Sequence, residues 1–163
     1  MLLISDANIL IDMEAGGLLE VMFQLEETFA VPDVLFSEEL EANHARLPAL
    51  GLQIKSLSET GVASVFQLQD IYSGPSINDL FALELAREMV CPLLTGDKAL
   101  RAAAKHEGID YKGTLWLVEH LVKCRLINAE RAEKAYARMR MQGRRLPWDK
   151  AFKRLKTLTV KRR

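Results

Sequence analysis

Two aspartates of this chain follow short apolar runs that are typical of buried parallel strands. Asp6 comes directly after Leu2–Ser5, and Asp97 follows residues 92–95 after a single glycine. Ligands of open parallel sheets bind at the carboxyl ends of the strands, so we expect both carboxylates in one crevice above the sheet. Carboxylates a few ångströms apart repel and raise each other's pKa. Because a divalent cation such as Mg²⁺ or Mn²⁺ removes that repulsion and prefers oxygen ligands, the pattern favours metal-assisted phosphodiester hydrolysis.

A third acid, Asp79, stands where a helix is predicted to begin, in Ser-Ile-Asn-Asp at 76–79. Ser76 can cap this helix, and Asp79 occupies its third position, where the helix dipole favours a negative charge. Capping therefore explains Asp79 without any catalytic role. From the residues alone, both interpretations stay open.

Other polar residues lie near these aspartates in the sequence. Asn8 can hydrogen-bond the loop or an acidic neighbour, or it only forms a turn. Thr95 can donate its hydroxyl to a carboxylate, or it is only a β-branched residue at a strand end. Glu38 and Glu39 belong to an acidic run at 38–41, and most glutamates in such runs are simply solvated.

The elements that would position these residues alternate along the chain. The pattern predicts buried strands at 2–5 and 92–95, further short strands at 29–31 and 109–112, and a half-exposed edge strand at 52–57. Helices are predicted at 18–27, 32–45, 58–72, 77–89 and 97–107, then after Gly113, at 129–142 and after Trp148. Such alternation implies a parallel sheet with helices on both faces. The predicted fold class is α/β, with three α/β/α layers around a central, mostly parallel sheet.

The length of 163 residues fits one domain. We expect an α/β core over about 1–127 and a basic helical extension over about 128–163, of which residues 161–163 should fray. Cys91 and Cys124 are far apart and lack metal-ligand spacing, so neither a disulfide nor a zinc site is predicted. No apolar run approaches the roughly 20 residues of a membrane span, and the chain starts without a targeting pattern. We expect a soluble, cytoplasmic protein.

The formal net charge is zero, but the charge is unevenly distributed along the chain. Residues 1–90 carry 3 Lys and Arg against 15 Asp and Glu, and residues 91–163 carry 19 against 7. This asymmetry favours an anionic partner for the basic half and a cation for the acidic half; the alternative is that the two halves pair with each other. Candidate RNA-binding residues are Lys98, Arg101, Arg144 and Arg145, whose phosphate contacts would weaken with salt.

Four segments, in this order, resemble the PIN domain family. They are Ser-Asp-Ala-Asn-Ile-Leu-Ile-Asp at 5–12, Val-Pro-Asp-Val-Leu-Phe-Ser-Glu at 31–38, Asn-Asp-Leu-Phe-Ala-Leu at 78–83, and Leu-Leu-Thr-Gly-Asp-Lys-Ala-Leu-Arg at 93–101. Each motif alone is weak, whereas the order and spacing of all four are specific. Residues 113–116 and 144–147 look like those of one prokaryotic subgroup, and residues 41–75 match no motif.

The resemblance implies a PIN-like fold and a Mg²⁺- or Mn²⁺-dependent ribonuclease, similar to the toxins of VapC-type toxin–antitoxin pairs. RNA is then the substrate, and an antitoxin protein and a second copy of the chain are the implied partners. The implied acidic site consists of Asp6, Asp79, Asp97 and a glutamate. Counting from Pro32 favours Glu38, which we prefer, whereas the Glu-Leu pair common at this site would favour Glu39.

Our hypothesis for the roles is that Asp6 and Asp97 ligate the principal metal and that Asp79 acts through bound water or a second metal. Glu38 would then position the attacking water. A first rival is a phosphohydrolase of the haloacid dehalogenase type, but Asn8 stands where those enzymes have a second aspartate. A second rival is a PIN fold that only binds RNA or protein, against which the three intact aspartates weigh.

Overall fold

A five-stranded, all-parallel sheet lies at the centre of residues 1–161, the part of the chain that the structure, a computed structural model, describes. The strands lie in the order β3-β2-β1-β4-β5. Their bounds are β1 Leu2–Ser5, β2 Thr28–Pro32, β3 Gln53–Lys55, β4 Leu93–Leu94 and β5 Tyr111–Lys112. The predicted strand at 52–57 is confirmed as an edge strand, β3.

Helices flank this sheet and confirm the predicted α/β/α arrangement. Helix α7 packs against β1, β2 and β4 and contacts α6 and α8, whereas α1 packs with α9 and α10, and α11 packs on α9 and α10. The helical bounds are α1 Ala7–Ala15, α2 Leu19–Met22, α3 Asp33–Leu35, a π-helical turn Phe36–Leu40, α4 Glu41–His44, α5 Leu47–Leu50, α6 Glu59–Ile71, α7 Ile77–Met89, α8 Lys98–His106, α9 Thr114–Lys123, α10 Ala129–Met141 and α11 Trp148–Lys161.

The core forms where helices cover the central strands. Leu3 and Ile4 of β1 and Leu93 of β4 are fully buried, which is why these strands are continuous apolar runs rather than alternating ones. On α9, Leu117 and Leu121 are fully buried as well. The apolar residues of this helix therefore serve the core of the chain itself.

The predicted helix at 18–27 is confirmed only over Leu19–Met22, and the glycine pair at 16–17 also ends a helix that was not predicted. Helix α1 already occupies Ala7–Ala15, and Gly17 follows it with a φ of 71°. The amide of Gly17 donates to Glu14 O at 3.0 Å, and that of Leu18 donates to Met13 O at 2.9 Å. This is the Schellman pattern of a helix end. Only the short α2 follows it.

The predicted helix at 32–45 is helical in the structure, but it is not a regular α-helix. Residues 33–44 are interrupted by the π-helical turn Phe36–Leu40. At the end of the chain, the predicted fraying concerned residues 161–163; Lys161 still belongs to α11, and residues 162–163 lie outside the described residues. Among the residues searched, none of the helices combines the length and apolarity needed to span a bilayer.

Candidate active site

The carboxyl ends of β1 and β4 lie side by side in the middle of the sheet. Ser5 of β1 pairs with Leu94 of β4, and the amide of Asp6 donates to Leu94 O at 2.9 Å. The chain proceeds from β1 to β2 and β3 on one side, whereas β4 and β5 lie on the other. Ligands of doubly wound sheets bind in the crevice where the strand order reverses in this way. Asp6 and Thr95 are the first residues past the strands at this crevice.

Asp6 is buried at the base of the crevice and is held there by hydrogen bonds. Its side chain is the N-cap of α1, where Oδ1 accepts from the amide of Ile9 at 3.0 Å. Its Oδ2 accepts from the hydroxyl of Thr95 at 2.5 Å. The Thr95 hydroxyl oxygen in turn accepts from the amide of Asp97 at 3.1 Å. Thr95 thus connects the two aspartates that follow β1 and β4.

The environment of Asp6 disfavours its negative charge. The pKa of its carboxyl group is raised to about 6, chiefly by burial and also by the negative charges of Asp79 and Asp12, while the hydrogen bonds from Thr95 and Ile9 oppose the rise. The chain therefore holds a carboxylate that a nearby cation would stabilise.

Asp79 has the capping role that the sequence allowed, and it also lies near other acidic residues. It completes a capping box at the start of α7, in which its amide donates to Ser76 Oγ at 3.1 Å and its Oδ2 accepts from the Ser76 amide at 3.1 Å. Burial raises the pKa of its carboxyl group, and the negative charge of Asp97 adds to this. The same side chain therefore caps a helix and interacts electrostatically with Asp6 and Asp97; we call these three aspartates the acidic cluster.

Asp97 is exposed at the start of α8, above the crevice. Its Oδ2 accepts from the amide of Leu100 at 2.8 Å, so it is the N-cap of this helix. Asp97 lines an open cleft of about 480 Å³ together with Asn8, Asp12 and Arg144. A substrate in this cleft would reach Asp97 directly.

Glu38 and Glu39 both lie in the π-helical turn, and both approach the start of α7. The amide group of Asn78 donates to Glu38 Oε2 at 2.8 Å. Partial burial raises the pKa of Glu39, and the negative charges of Asp79 and Glu38 contribute to the rise. The turn thus brings two carboxylates to the edge of the cluster, and π-helical turns of this kind often occur at functional sites.

A buried ion pair borders the cluster on the other side. Asp12 accepts from Arg144 Nε at 2.6 Å through Oδ1 and from the Thr114 hydroxyl at 2.8 Å through Oδ2. Arg144 also donates from Nη2 to Asn8 Oδ1 at 3.0 Å. Asn8 lies within α1 and not in a turn before it. Its hydrogen-bond partner is an arginine from the C-terminal extension.

The other candidate RNA-binding residues differ in their surroundings. Lys98 is exposed at the first position of α8. Arg101 donates from Nε to Thr95 O at 2.8 Å, and its guanidinium lies over the ring of Tyr111 at 5.1 Å. Arg145 is exposed and lines the cleft beside Asp97. Among these four residues, Arg144 is therefore the one that forms an ion pair with another described side chain.

The donor set fits a hard divalent cation that keeps several of its waters. Within the described residues, no three His, Cys, Asp or Glu side chains are grouped so that they could jointly hold a metal ion. Mg²⁺ and Mn²⁺ sites commonly use only one or two protein carboxylates and complete their shell with water. Asn78 is also buried, and its Oδ1 has no hydrogen-bond partner among the described residues. That oxygen can accept from a metal-bound water.

Asp12 and Asn78 are members of the site region that the sequence patterns did not single out. A signal existed for both: Asp12 lies four residues after Asn8, on the same face of a helix, and Asn78 directly precedes Asp79. The first signal was hidden because residues 7–15 were not predicted as a helix. No sequence signal pairs Asp12 with Arg144, which lies 132 residues away.

The chain is similar to one family of known proteins over most of its length. A family model described as a PIN domain matches residues 2–159. Among solved structures, the chain is similar to a PilT N-terminus domain protein from the archaeon Sulfolobus solfataricus P2, at 12% sequence identity and a TM-score of 0.48, over 72% of this chain and 90% of that chain. A search of curated proteins gave no match.

Proposed function

This chain belongs to the PIN domain family, and we propose that it is a ribonuclease that hydrolyses RNA phosphodiester bonds with the help of Mg²⁺ or Mn²⁺. The observation that carries the proposal is the placement of three aspartates where the strand order reverses. Thr95 joins Asp6 to Asp97 through two hydrogen bonds, and the negative charge of Asp79 contributes to the raised pKa of Asp6. Each of these aspartates also caps a helix, but capping alone does not require three negative charges to lie near one another, whereas a cation-binding site does.

In this proposal each acidic residue has a distinct task. Asp6 and Asp97 would hold the ion, and Asp79 would act through water. Glu38, oriented by the Asn78 amide, would position the attacking water and accept its proton. Thr95 keeps the Asp6 carboxylate in place through its hydroxyl. The ion would polarise a phosphoryl oxygen and lower the pKa of a bound water.

The direct test uses the purified full chain with labelled RNA, labelled single-stranded DNA and p-nitrophenyl phosphate. We expect cleavage of RNA with Mn²⁺ or Mg²⁺, no cleavage in EDTA, and none by the Asp97→Asn variant. Cleavage that persists unchanged in EDTA or in the variant would contradict the metal mechanism. Turnover of the monoester alone would indicate a phosphohydrolase, and RNA binding without cleavage would indicate a non-catalytic module.

The two roles of Asp79 can be separated by a matched pair of variants. Asp79→Asn keeps an oxygen that can accept from the Ser76 amide but removes the charge, so we expect cleavage to fall on the order of 100-fold with little change in stability. Ser76→Ala removes the cap and keeps the charge, so it should cost about 1 kcal/mol of stability and leave cleavage within a few-fold. Urea unfolding and initial cleavage rates measure the two effects. If Asp79→Asn cleaves like the wild type, Asp79 is only a capping residue.

We propose that this ribonuclease is a toxin that an antitoxin protein inhibits. The support for this proposal is the family resemblance. A small neighbouring gene for a DNA-binding protein would support this setting. Unimpaired growth of cells that express the active chain without such a partner would count against it.

A further inference from the structure

A second pocket, of about 320 Å³, adjoins the cleft that contains Asp97, and its lining carries an excess of positive charge, whereas two aspartates and two arginines line the cleft. It shares Gly96, Arg145 and Leu146 with the cleft that contains Asp97, so the two are continuous along the surface. We call it the basic pocket. The cations that line it come from four parts of the chain and are Arg101, Lys112, Arg145, Lys150 and Arg154.

Most of these cations lack a carboxylate partner. Arg154 is paired with Glu119, through contacts of 3.0 and 2.7 Å. The other four form no ion pair with any of the described side chains. Positive charges gathered around one pocket repel each other, and a bound anion would relieve that repulsion.

The walls of the basic pocket hold two of these cations in place. Lys112 Nζ lies over the ring of Trp116 at 4.8 Å, just as Arg101 lies over Tyr111. Arg101 also passes so close to Gly113 that a Cβ there would lie 2.2 Å from its Nη2. A side chain at position 113 would therefore displace the guanidinium. Arg101 also donates a hydrogen bond to Thr95 O, and the hydroxyl of Thr95 donates to Asp6.

The backbone at the pocket adds further donors. Gly113 is the N-cap of α9 and gives this ten-residue helix no side-chain cap. The first amides of α9 therefore remain free of a side-chain acceptor at the pocket, where a helix start favours an anion. A negatively charged ligand is therefore favoured by three features of this pocket: its cavity, its cations without carboxylate partners among the described residues, and the uncapped start of α9.

We propose that the basic pocket binds the phosphate and nucleotide next to the scissile phosphate of a single-stranded RNA. This rests on the proposed function, because it requires the scissile phosphate to lie in the cleft beside Asp97. The continuity of the two cavities lets one strand occupy both. Efficient cleavage then needs RNA that extends past the cut on the side of the basic pocket.

The test measures binding without metal, so that it does not depend on cleavage. The full chain in EDTA is titrated against a fluorescein-labelled 10-nucleotide oligouridylate, and anisotropy is followed at several salt concentrations. For the double variant Lys112→Gln/Lys150→Gln we expect at least about 10-fold weaker binding at low salt. The slope of log K against log salt should fall by about 1.4, since each phosphate contact to a single strand contributes about 0.7.

Two further variants make the test specific. The double variant Lys134→Gln/Lys156→Gln removes the same charge from exposed positions outside both cavities and should bind within about 2-fold of the wild type. Gly113→Ala keeps every charge but displaces Arg101, so it should weaken binding and reduce the magnitude of the salt slope by no more than about 0.7. Circular dichroism checks that each variant is folded.

Several results would overturn the inference. One is an equal loss of RNA affinity in both lysine double variants, and another is wild-type affinity in the Lys112→Gln/Lys150→Gln variant. A third is the absence of any oligouridylate binding. A fourth is tighter binding of a polyglutamate peptide than of RNA, which would assign the pocket to an acidic protein. RNA that binds here but is never cleaved with Mn²⁺ would instead refute the ribonuclease and with it the placement of the scissile phosphate. If the wild type cleaves RNA and the pocket variants bind and cleave it equally well, only the proposed role of the basic pocket is refuted.

Discussion

Replacing Asp6 with asparagine is expected to abolish metal-dependent RNA cleavage and, at the same time, to stabilise the metal-free protein at pH 7.5. The folded chain raises the pKa of Asp6 from its ordinary value of 3.8 to about 6, chiefly by burial. The folded state thus binds a proton at Asp6 more tightly than the unfolded state does. The contribution of Asp6 to stability consequently falls as the pH rises from about 4 to about 6, and stays low above that range.

The size of this effect follows from the shift in pKa. One pKa unit corresponds to about 1.4 kcal/mol, so the ionised Asp6 carboxylate costs about 3 kcal/mol above pH 6. Asparagine removes the charge and can still accept from the Ile9 amide, but it loses the hydrogen bond from Thr95, worth about 1 kcal/mol. We therefore expect a net gain of about 2 kcal/mol at pH 7.5 and no gain near pH 4.

Urea unfolding in EDTA between pH 4 and pH 8 measures this difference. The exposed Asp70 on α6 provides the control, because Asp70→Asn should change neither the stability profile nor cleavage. Mn²⁺ should stabilise the wild type, since it binds the folded state, and leave Asp6→Asn unaffected. A variant that is less stable than the wild type at every pH would show that the Asp6 carboxylate is a structural element rather than a strained ligand.

Replacing Arg144 with alanine is expected to destabilise the chain strongly, because it leaves Asp12 buried without its counter-charge. The Asp12 side chain is 8% exposed and that of Arg144 is 25% exposed. Removal of one partner of a buried ion pair costs about 3 to 5 kcal/mol, and we expect the lower end of this range because Arg144 reaches solvent.

A double-mutant cycle attributes the loss to this pair. Asp12→Asn added to Arg144→Ala should restore much of the stability, since asparagine carries no charge and can still accept from the Thr114 hydroxyl. Arg131→Ala, at an exposed position on α10, should change stability by no more than about 0.5 kcal/mol. An unfolding midpoint of Arg144→Ala equal to that of the wild type would mean that the extension is not anchored at Asp12.

This ion pair also explains part of the uneven charge along the chain. The acidic first half and the basic second half meet at Asp12 and Arg144, so some of the charge is paired internally. The basic pocket keeps four further cations without carboxylate partners among the described residues. The C-terminal extension thus has two effects on the cleft: it neutralises an acid at one side and supplies Arg145 and Lys150 at the other.

The sequence by itself determined the local features of this protein. The apolar runs before Asp6 and Asp97 predicted β1 and β4, and the parallel-sheet rule placed both acids at one edge of the sheet. Alternation at 52–57 predicted the edge strand β3. These predictions succeeded because strand burial and strand ends depend on a few consecutive residues.

Only the tertiary structure decided the contacts between distant parts of the chain. It placed Arg144 against Asp12, oriented Thr95 between Asp6 and Asp97, and assembled the basic pocket from separate segments. It also brought both Glu38 and Glu39 to α7 through a π-helical turn. Counting residues from Pro32 could not show that both glutamates reach this helix. Such contacts depend on the path of the whole chain and on the free energy of burial, which periodicity and local propensity do not encode.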